Sequence, residues 1–74
     1  MNSTNIIVRS LDIPEVLMLE TLLSQNDSIE YTIEDEGDWF SSLHITFNEP
    51  NTTDSENIIF TIKELFTDRV QDGI

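Results

Sequence analysis

Two alternating segments flank a short turn sequence, and no other feature of this chain restricts its folding so strongly. Ile29, Tyr31 and Ile33 share one parity while Glu30, Thr32 and Glu34 share the other, and Leu43, Ile45 and Phe47 alternate with Ser42, His44 and Thr46 in the same way. Successive strand residues point to opposite faces, so each segment has one apolar side and one polar side. Between them lies Asp35-Glu36-Gly37-Asp38. A glycine there can take positive φ, and the unit reads as a β-hairpin that buries one face. Trp39 has the parity of the buried face and Phe40 the opposite one, so at least one of these aromatics is left partly uncovered near the hairpin tip.

A hairpin alone cannot bury its apolar face, and the flanking sequence supplies the cover. Ile6, Ile7 and Val8 are β-branched and apolar on both parities, which suits a strand covered on both sides or lying at a self-associating edge. Asp12-Ile13-Pro14-Glu15 then reads as a helix start: Asp12 caps free amides, Glu15 completes a capping box, and Pro14 falls in the first turn, where its missing N–H costs nothing. The helix runs to about Gln25, with Val16, Leu17, Met18, Leu19, Leu22 and Leu23 as its apolar stripe. Asn26, Asp27 and Ser28 end it, and Glu49 to Thr53 form a loop because Pro50 cannot continue a central strand.

The last segment is open to two readings. Thr53 and Glu56 form a capping box, and Ile58, Ile59, Ile62, Leu65, Phe66 and Val70 make a helical stripe closed by Gly73. Asn57 to Lys63 also alternates as a strand, with Ile58, Phe60 and Ile62 on one face. The unbroken stripe favours a helix to about Asp72, on which Phe60 points away from the buried side. The expected fold is α+β, in the order β-α-β-β-α: a three-stranded antiparallel sheet in the order 1-3-2 with both helices on one face. Residues 1–74 form a single small domain with loose ends at 1–4 and 73–74. The polar face of the sheet, with Glu30, Thr32, Glu34, Ser42, His44 and Thr46, is left open.

Charge narrows the function. The 74 residues carry 15 Asp and Glu against 3 Lys and Arg, a formal charge of −12, and no cysteine. A surface this negative repels nucleic acid and anionic membrane, and three basic residues cannot neutralise many phosphates. The chain has no run of about 20 apolar residues to span a bilayer. Met1 to Asn5 is too polar to open a signal peptide, which places the protein in the cytoplasm. A domain of this size buries only about 60% of its unfolded surface, so a partner or a second copy can complete it.

Catalysis and metal binding fit poorly. His44 is the only histidine, and Ser42 lies two residues along the same strand, about 6.7 Å away, too far for a reliable nucleophile–base hydrogen bond. Glu34 to Asp38 lacks the longer ligand pattern of an EF-hand calcium loop, and a single His without cysteine makes no zinc site. No phosphate-binding glycine loop is present, since Gly37 and Gly73 are the only glycines, and no cofactor is expected. Protein binding remains. Asp27, Glu30, Glu34, Asp35, Glu36 and Asp38 crowd into the hairpin segment, and Trp39, Phe40 and Phe60 are aromatic anchors of the kind that dominate interfaces. The expected contact set is Glu30, Glu34, Asp35, Glu36, Asp38, Trp39, Phe40 and Phe60. The expected role is that of an inhibitor or immunity-type protein on a basic, nucleic-acid-binding surface. The competing expectation is an assembly module that associates through an exposed strand edge, where acidity serves only solubility. A homo-oligomer is compatible with either.

Overall fold

Asp12 starts the first helix as its sequence implies: its Oδ1 accepts the Glu15 N–H at 3.0 Å while Glu15 Oε1 accepts the Asp12 N–H at 3.1 Å. In the computed structural model, which describes residues 3–73, this cap separates β1 (Thr4–Leu11) from α1 (Ile13–Leu23). The chain continues through β2 (Ile29–Gly37), β3 (Phe40–Phe47), α2 (Thr53–Leu65) and β4 (Val70–Gly73). The sheet is antiparallel in the order β2-β3-β1-β4. The three strands and two helices expected from the sequence are present, and β4 adds a fourth strand. The result is the β-α-β-β-α-β arrangement known as ferredoxin-like or split βαβ.

The fourth strand corrects the reading of a helix to Asp72. Helix α2 is capped by Thr52, one residue before the expected Thr53, with Thr52 Oγ1 accepting the Ser55 N–H at 3.2 Å. It stops at Leu65 for two local reasons. Thr67 Oγ1 donates to the carbonyls of Lys63 and Glu64, at 2.9 and 3.3 Å, and so takes up helix-end acceptors. Phe66 then leaves helical geometry, with φ −126° and ψ 41°. A global reason adds to these. Without β4, β1 would leave a row of backbone groups unpaired beside fully buried Ile6 and Val8, and unpaired buried backbone is costly. Val70, Gln71, Asp72 and Gly73 pair with Val8, Ile7, Ile6 and Asn5, and the Arg9 N–H donates to the Arg69 carbonyl at 3.0 Å. Arg69, just before β4, pairs with Glu15 at the start of α1. Of the ends read as loose, Thr4 pairs with Phe47 and Gly73 with Asn5, while residues 1, 2 and 74 lie outside the described residues.

The core occupies one side of the sheet. Ile6, Val8, Leu11, Ile29, Leu43, Ile45 and Phe47 from the strands meet Leu19, Leu23, Ile58, Ile62 and Phe66 from the helical layer. Leu11 joins Ile6 and Val8 despite its odd position because β1 bulges between Val8 and Leu11, where Ser10 takes φ 58°. The extra residue shifts the alternation by one, which returns Leu11 to the face of Ile6 and Val8. The opposite face carries Glu30, Thr32 and Glu34 beside Thr46, His44 and Ser42, in the register Glu30↔Thr46, Thr32↔His44 and Glu34↔Ser42. Strand β1 therefore lies inside the sheet, and its two free edges are β2 and the four-residue β4.

Candidate protein-binding surface

The β2–β3 hairpin ends in a turn tighter than its composition suggests. Gly37 takes φ +80°, as expected, and its N–H is held by Asp35 Oδ1 at 2.8 Å. A Cβ on Gly37 would meet nothing within 4 Å, so the requirement for glycine is conformational and not spatial. However, β2 continues through Gly37 and pairs it with Phe40, with Glu36 as an unpaired bulge residue. The turn itself is Asp38-Trp39, with φ 53° and 73°. Two successive positive φ values match the right-handed twist of a hairpin, a geometry that favours Asn-Gly. Tryptophan in that conformation is unusual, because its Cβ crowds the neighbouring carbonyl. The outcome is a side chain held away from the body of the protein: Trp39 is 89% exposed and Phe40 is 44% exposed.

Below the tip, every residue of β2 from Thr32 to Gly37 is exposed. Glu34 lies 3.4 Å from His44 Nε2, and Glu30 accepts a hydrogen bond from Asn48 Nδ2 at 2.8 Å. The basic residues are elsewhere. Arg9 sits on β1 and donates to Gln71 Oε1 at 2.8 Å, Lys63 is on α2, and Arg69 precedes β4. Arg69 donates through Nη1 to Glu15 Oε1 at 2.9 Å and through Nη2 to Oε2 at 2.7 Å. The hydrogen bonds from Arg69 hold the Glu15 carboxyl below its usual range, against a smaller opposing effect of burial. The same bonds raise the Arg69 guanidinium. On the other flank of α1, Tyr31 donates its hydroxyl to Glu20 at 3.3 Å, and desolvation, followed by the Glu20 charge, pushes the phenol up. Charge is thus uneven along the sheet: the β2–β3 hairpin carries acidic residues and no Lys or Arg, whereas all three Lys and Arg residues lie on the β1–α2–β4 half, among Asp54, Glu56, Glu64, Asp68 and Asp72.

The expected contact residues do not all meet. Glu30 and Glu34 lie on the open face, and Asp35, Glu36, Asp38, Trp39 and Phe40 crowd the hairpin end. Phe60 projects from the outer side of α2, 65% exposed beside Lys63, Glu64 and Thr67, across the sheet from Glu30 and Glu34. His44 and Ser42 share the open face without forming a catalytic pair: Ser42 is buried and His44 faces Glu34. Among the described residues no three His, Cys, Asp or Glu side chains converge to share a metal ion, and no helix is long and apolar enough to cross a membrane.

Periodicity assigns Ile33, Leu17 and Met18 to buried faces, and the structure leaves them exposed. Ile33, Leu17 and Met18 are 46%, 58% and 46% exposed, and Ile13 is 66% exposed. A signal for α1 existed in the chain, since seven of the eleven residues from Ile13 to Leu23 are Ile, Val, Leu or Met, more than one helix face can bury. Comparison with known proteins found no matching family model, no matching curated protein and no matching solved structure.

Proposed function

We propose that this chain is a small acidic protein-binding domain of the cytoplasm, an inhibitor or immunity-type protein that occupies a basic, nucleic-acid-binding surface of a partner. The observation that carries this reading is the hairpin itself: an acidic unit without a single Lys or Arg, ending in a tryptophan that is 89% exposed. A one-signed patch steers a basic partner and raises the rate of encounter, and an aromatic anchor then supplies short-range affinity. Size is compatible with phosphate mimicry. Duplex DNA carries one charge per about 1.7 Å, hence about 21 along the 36 Å long axis of the domain, and −12 is of that order. The domain acts by binding and not by catalysis, and its charge keeps it off nucleic acid and anionic membrane.

The test is capture from the native host's lysate with the tagged protein, elution by rising salt, and mass spectrometry. Three baits are compared: the unaltered chain, Trp39→Ala, and the combined Glu34→Gln, Asp35→Asn, Glu36→Gln, Asp38→Asn variant. A basic nucleic-acid-binding protein released at moderate salt from the unaltered chain, and absent from both variants, supports the reading. Equal retention on the charge-neutralised bait refutes it. The second reading, an assembly module that joins through a strand edge, loses the edge first assigned to it because β4 covers β1. It persists at β2, which pairs with β3 alone.

A further inference from the structure

We propose that the free edge of β2 is a strand-addition site for an extended partner segment in which basic and apolar residues alternate. This inference rests on the acidic-hairpin reading above and specifies the form the partner takes there. Three observations converge on it. First, β2 is bonded only to β3, so along its middle, from Tyr31 to Asp35, its outward backbone N–H and C=O groups can accept another strand, whereas the Ile29 N–H is already donated to the Asn26 carbonyl and the Gly37 N–H to Asp35 Oδ1. Second, the open-face side of this edge presents Glu30, Thr32 and Glu34. Third, the opposite side of the edge has an unfilled apolar shelf.

The shelf follows from the orientation of α1. Its two flanks are fixed by their contacts: Glu15 reaches Arg69, beside β4, and Glu20 reaches the Tyr31 hydroxyl on β2. At about 100° per residue, Ile13 lies about 20° and Leu17 about 60° from Glu20, turned away from buried Leu19 and Leu23. Both therefore stand on the β2 flank. Helix α1 connects two parallel strands and returns antiparallel to β2, so the residues before Glu20 run beside those after Tyr31. That places Ile13 and Leu17 alongside Ile33, and all three are exposed. A strand added to β2 has alternate side chains on this shelf and the intervening ones facing Glu30 and Glu34.

Charge disfavours a second copy as the occupant. Antiparallel self-pairing about Thr32 sets Glu30 directly against Glu34 on the same face, and like charges directly opposed are destabilising. Each copy also carries −12. A segment with Lys or Arg at every second position and Val, Ile or Leu between them satisfies both sides of the edge.

The experiment titrates the isotope-labelled full chain with an end-blocked alternating Lys–Val peptide of about seven residues, a typical strand length. Amide shifts, amide exchange and the dissociation constant are read. The expected result is exchange protection at alternate β2 amides, with binding about tenfold or more weaker for a peptide of the same composition in block order, for an alternating Glu–Val peptide, and for the Lys–Val peptide N-methylated on one edge. Ile33→Lys and Leu17→Lys weaken binding by about tenfold, and their unchanged β1 and β3 amide spectra show that the fold is retained. Protection that maps away from β2, or equal affinity for the N-methylated peptide, overturns the proposal. So does β2 protection without peptide accompanied by a dimer mass. A lysate partner lost with Trp39→Ala but kept with Ile33→Lys overturns strand addition and leaves the acidic-inhibitor reading standing.

Discussion

Replacing Arg69 with Met should loosen the junction between α1 and the α2–β4 turn, by an amount the geometry sets. The guanidinium makes two hydrogen bonds to Glu15, at 2.9 and 2.7 Å, donates to the Ser10 carbonyl at 3.0 Å, and stands 4.9 Å from the centre of the Phe66 ring. The Arg69 and Glu15 side chains are 33% and 27% exposed, between a surface pair and a buried one. Exposed ion pairs contribute about 0.2–1 kcal/mol, hydrogen bonds to charged groups about 1.5–3, and an exposed cation–π contact about 0.5–1. Met keeps the stem packing, and Glu15 keeps its capping bond to Asp12. The net cost is therefore about 1.5–2 kcal/mol at neutral pH. In a domain of this size, 1 kcal/mol moves Tm by about 4–8 °C, so the variant should melt about 6–16 °C lower.

The pH dependence gives an independent check. Glu15 has a folded-state pKa below its ordinary 4.5, so the stability it contributes is complete above about 4.5 and is lost as pH falls through the depressed value. The remaining carboxylates also protonate on acidification and relieve repulsion, but they do so in both proteins and cancel in the difference. Thermal melts from pH 7 to pH 2.5 should show the gap between the two proteins constant down to about 4.5 and narrowing below, to a residue left by the Ser10 and Phe66 contacts. A gap under about 1 °C at pH 7, or one that does not narrow in acid, would refute this account of the junction.

Two further outcomes separate stability from binding. The pair Asp38→Asn with Trp39→Gly gives the turn its favoured Asn-Gly sequence, and should raise stability by about 1 kcal/mol in denaturant unfolding while abolishing partner capture; a drop in stability would show that Trp39 is not strained. Neutralising Glu34, Asp35, Glu36 and Asp38 together should raise Tm in low salt and reduce the further rise that added salt gives the unaltered chain, because both relieve the same repulsion. Identical salt dependence in the two proteins would place that repulsion elsewhere.

The sequence made visible whatever depended on nearby residues. Asp12, Pro14 and Glu15 interact within one turn, and the Ile29–Ile33 and Leu43–Phe47 alternations face each other across a short connection, so α1 and the hairpin were legible. Strand β4 was not. Val70-Gln71-Asp72-Gly73 holds one apolar residue, and it continues the helical spacing of Ile62, Leu65 and Phe66, so the periodicity ran across the true break. What makes it a strand is β1, more than sixty positions earlier in the chain. Two local signs pointed that way: Thr67-Asp68, poor helix formers after Phe66, and the apolar Ile6-Ile7-Val8 run, which suits a strand with neighbours on both sides. In the candidate surface, the acidic hairpin and its exposed aromatics were legible because charge and turn chemistry are local. The exposure of Ile33 was not, because it depends on where α1 stops covering the sheet; the apolar excess of α1 signalled that some of its residues stay exposed, but not that Ile13 and Leu17 are among them. Phe60 was expected at the same surface as the hairpin, and only the assembled layers place it across the sheet.

The interior position of β1 has a consequence for the order of assembly. The β2–β3 hairpin closes locally, in about 1–10 μs for isolated hairpins, whereas Arg9 and Gln71 meet across 62 positions. Loop-closure cost thus favours docking of the first strand on the hairpin, with its other edge bare, before the last strand closes it. Opening β4 alone reverses that final step and uncovers the Ile6-Ile7-Val8 edge while the rest of the sheet stays paired. A four-residue strand is then the latch on an aggregation-prone edge, and the mutual repulsion of chains at −12 protects them during the intervals when it is open.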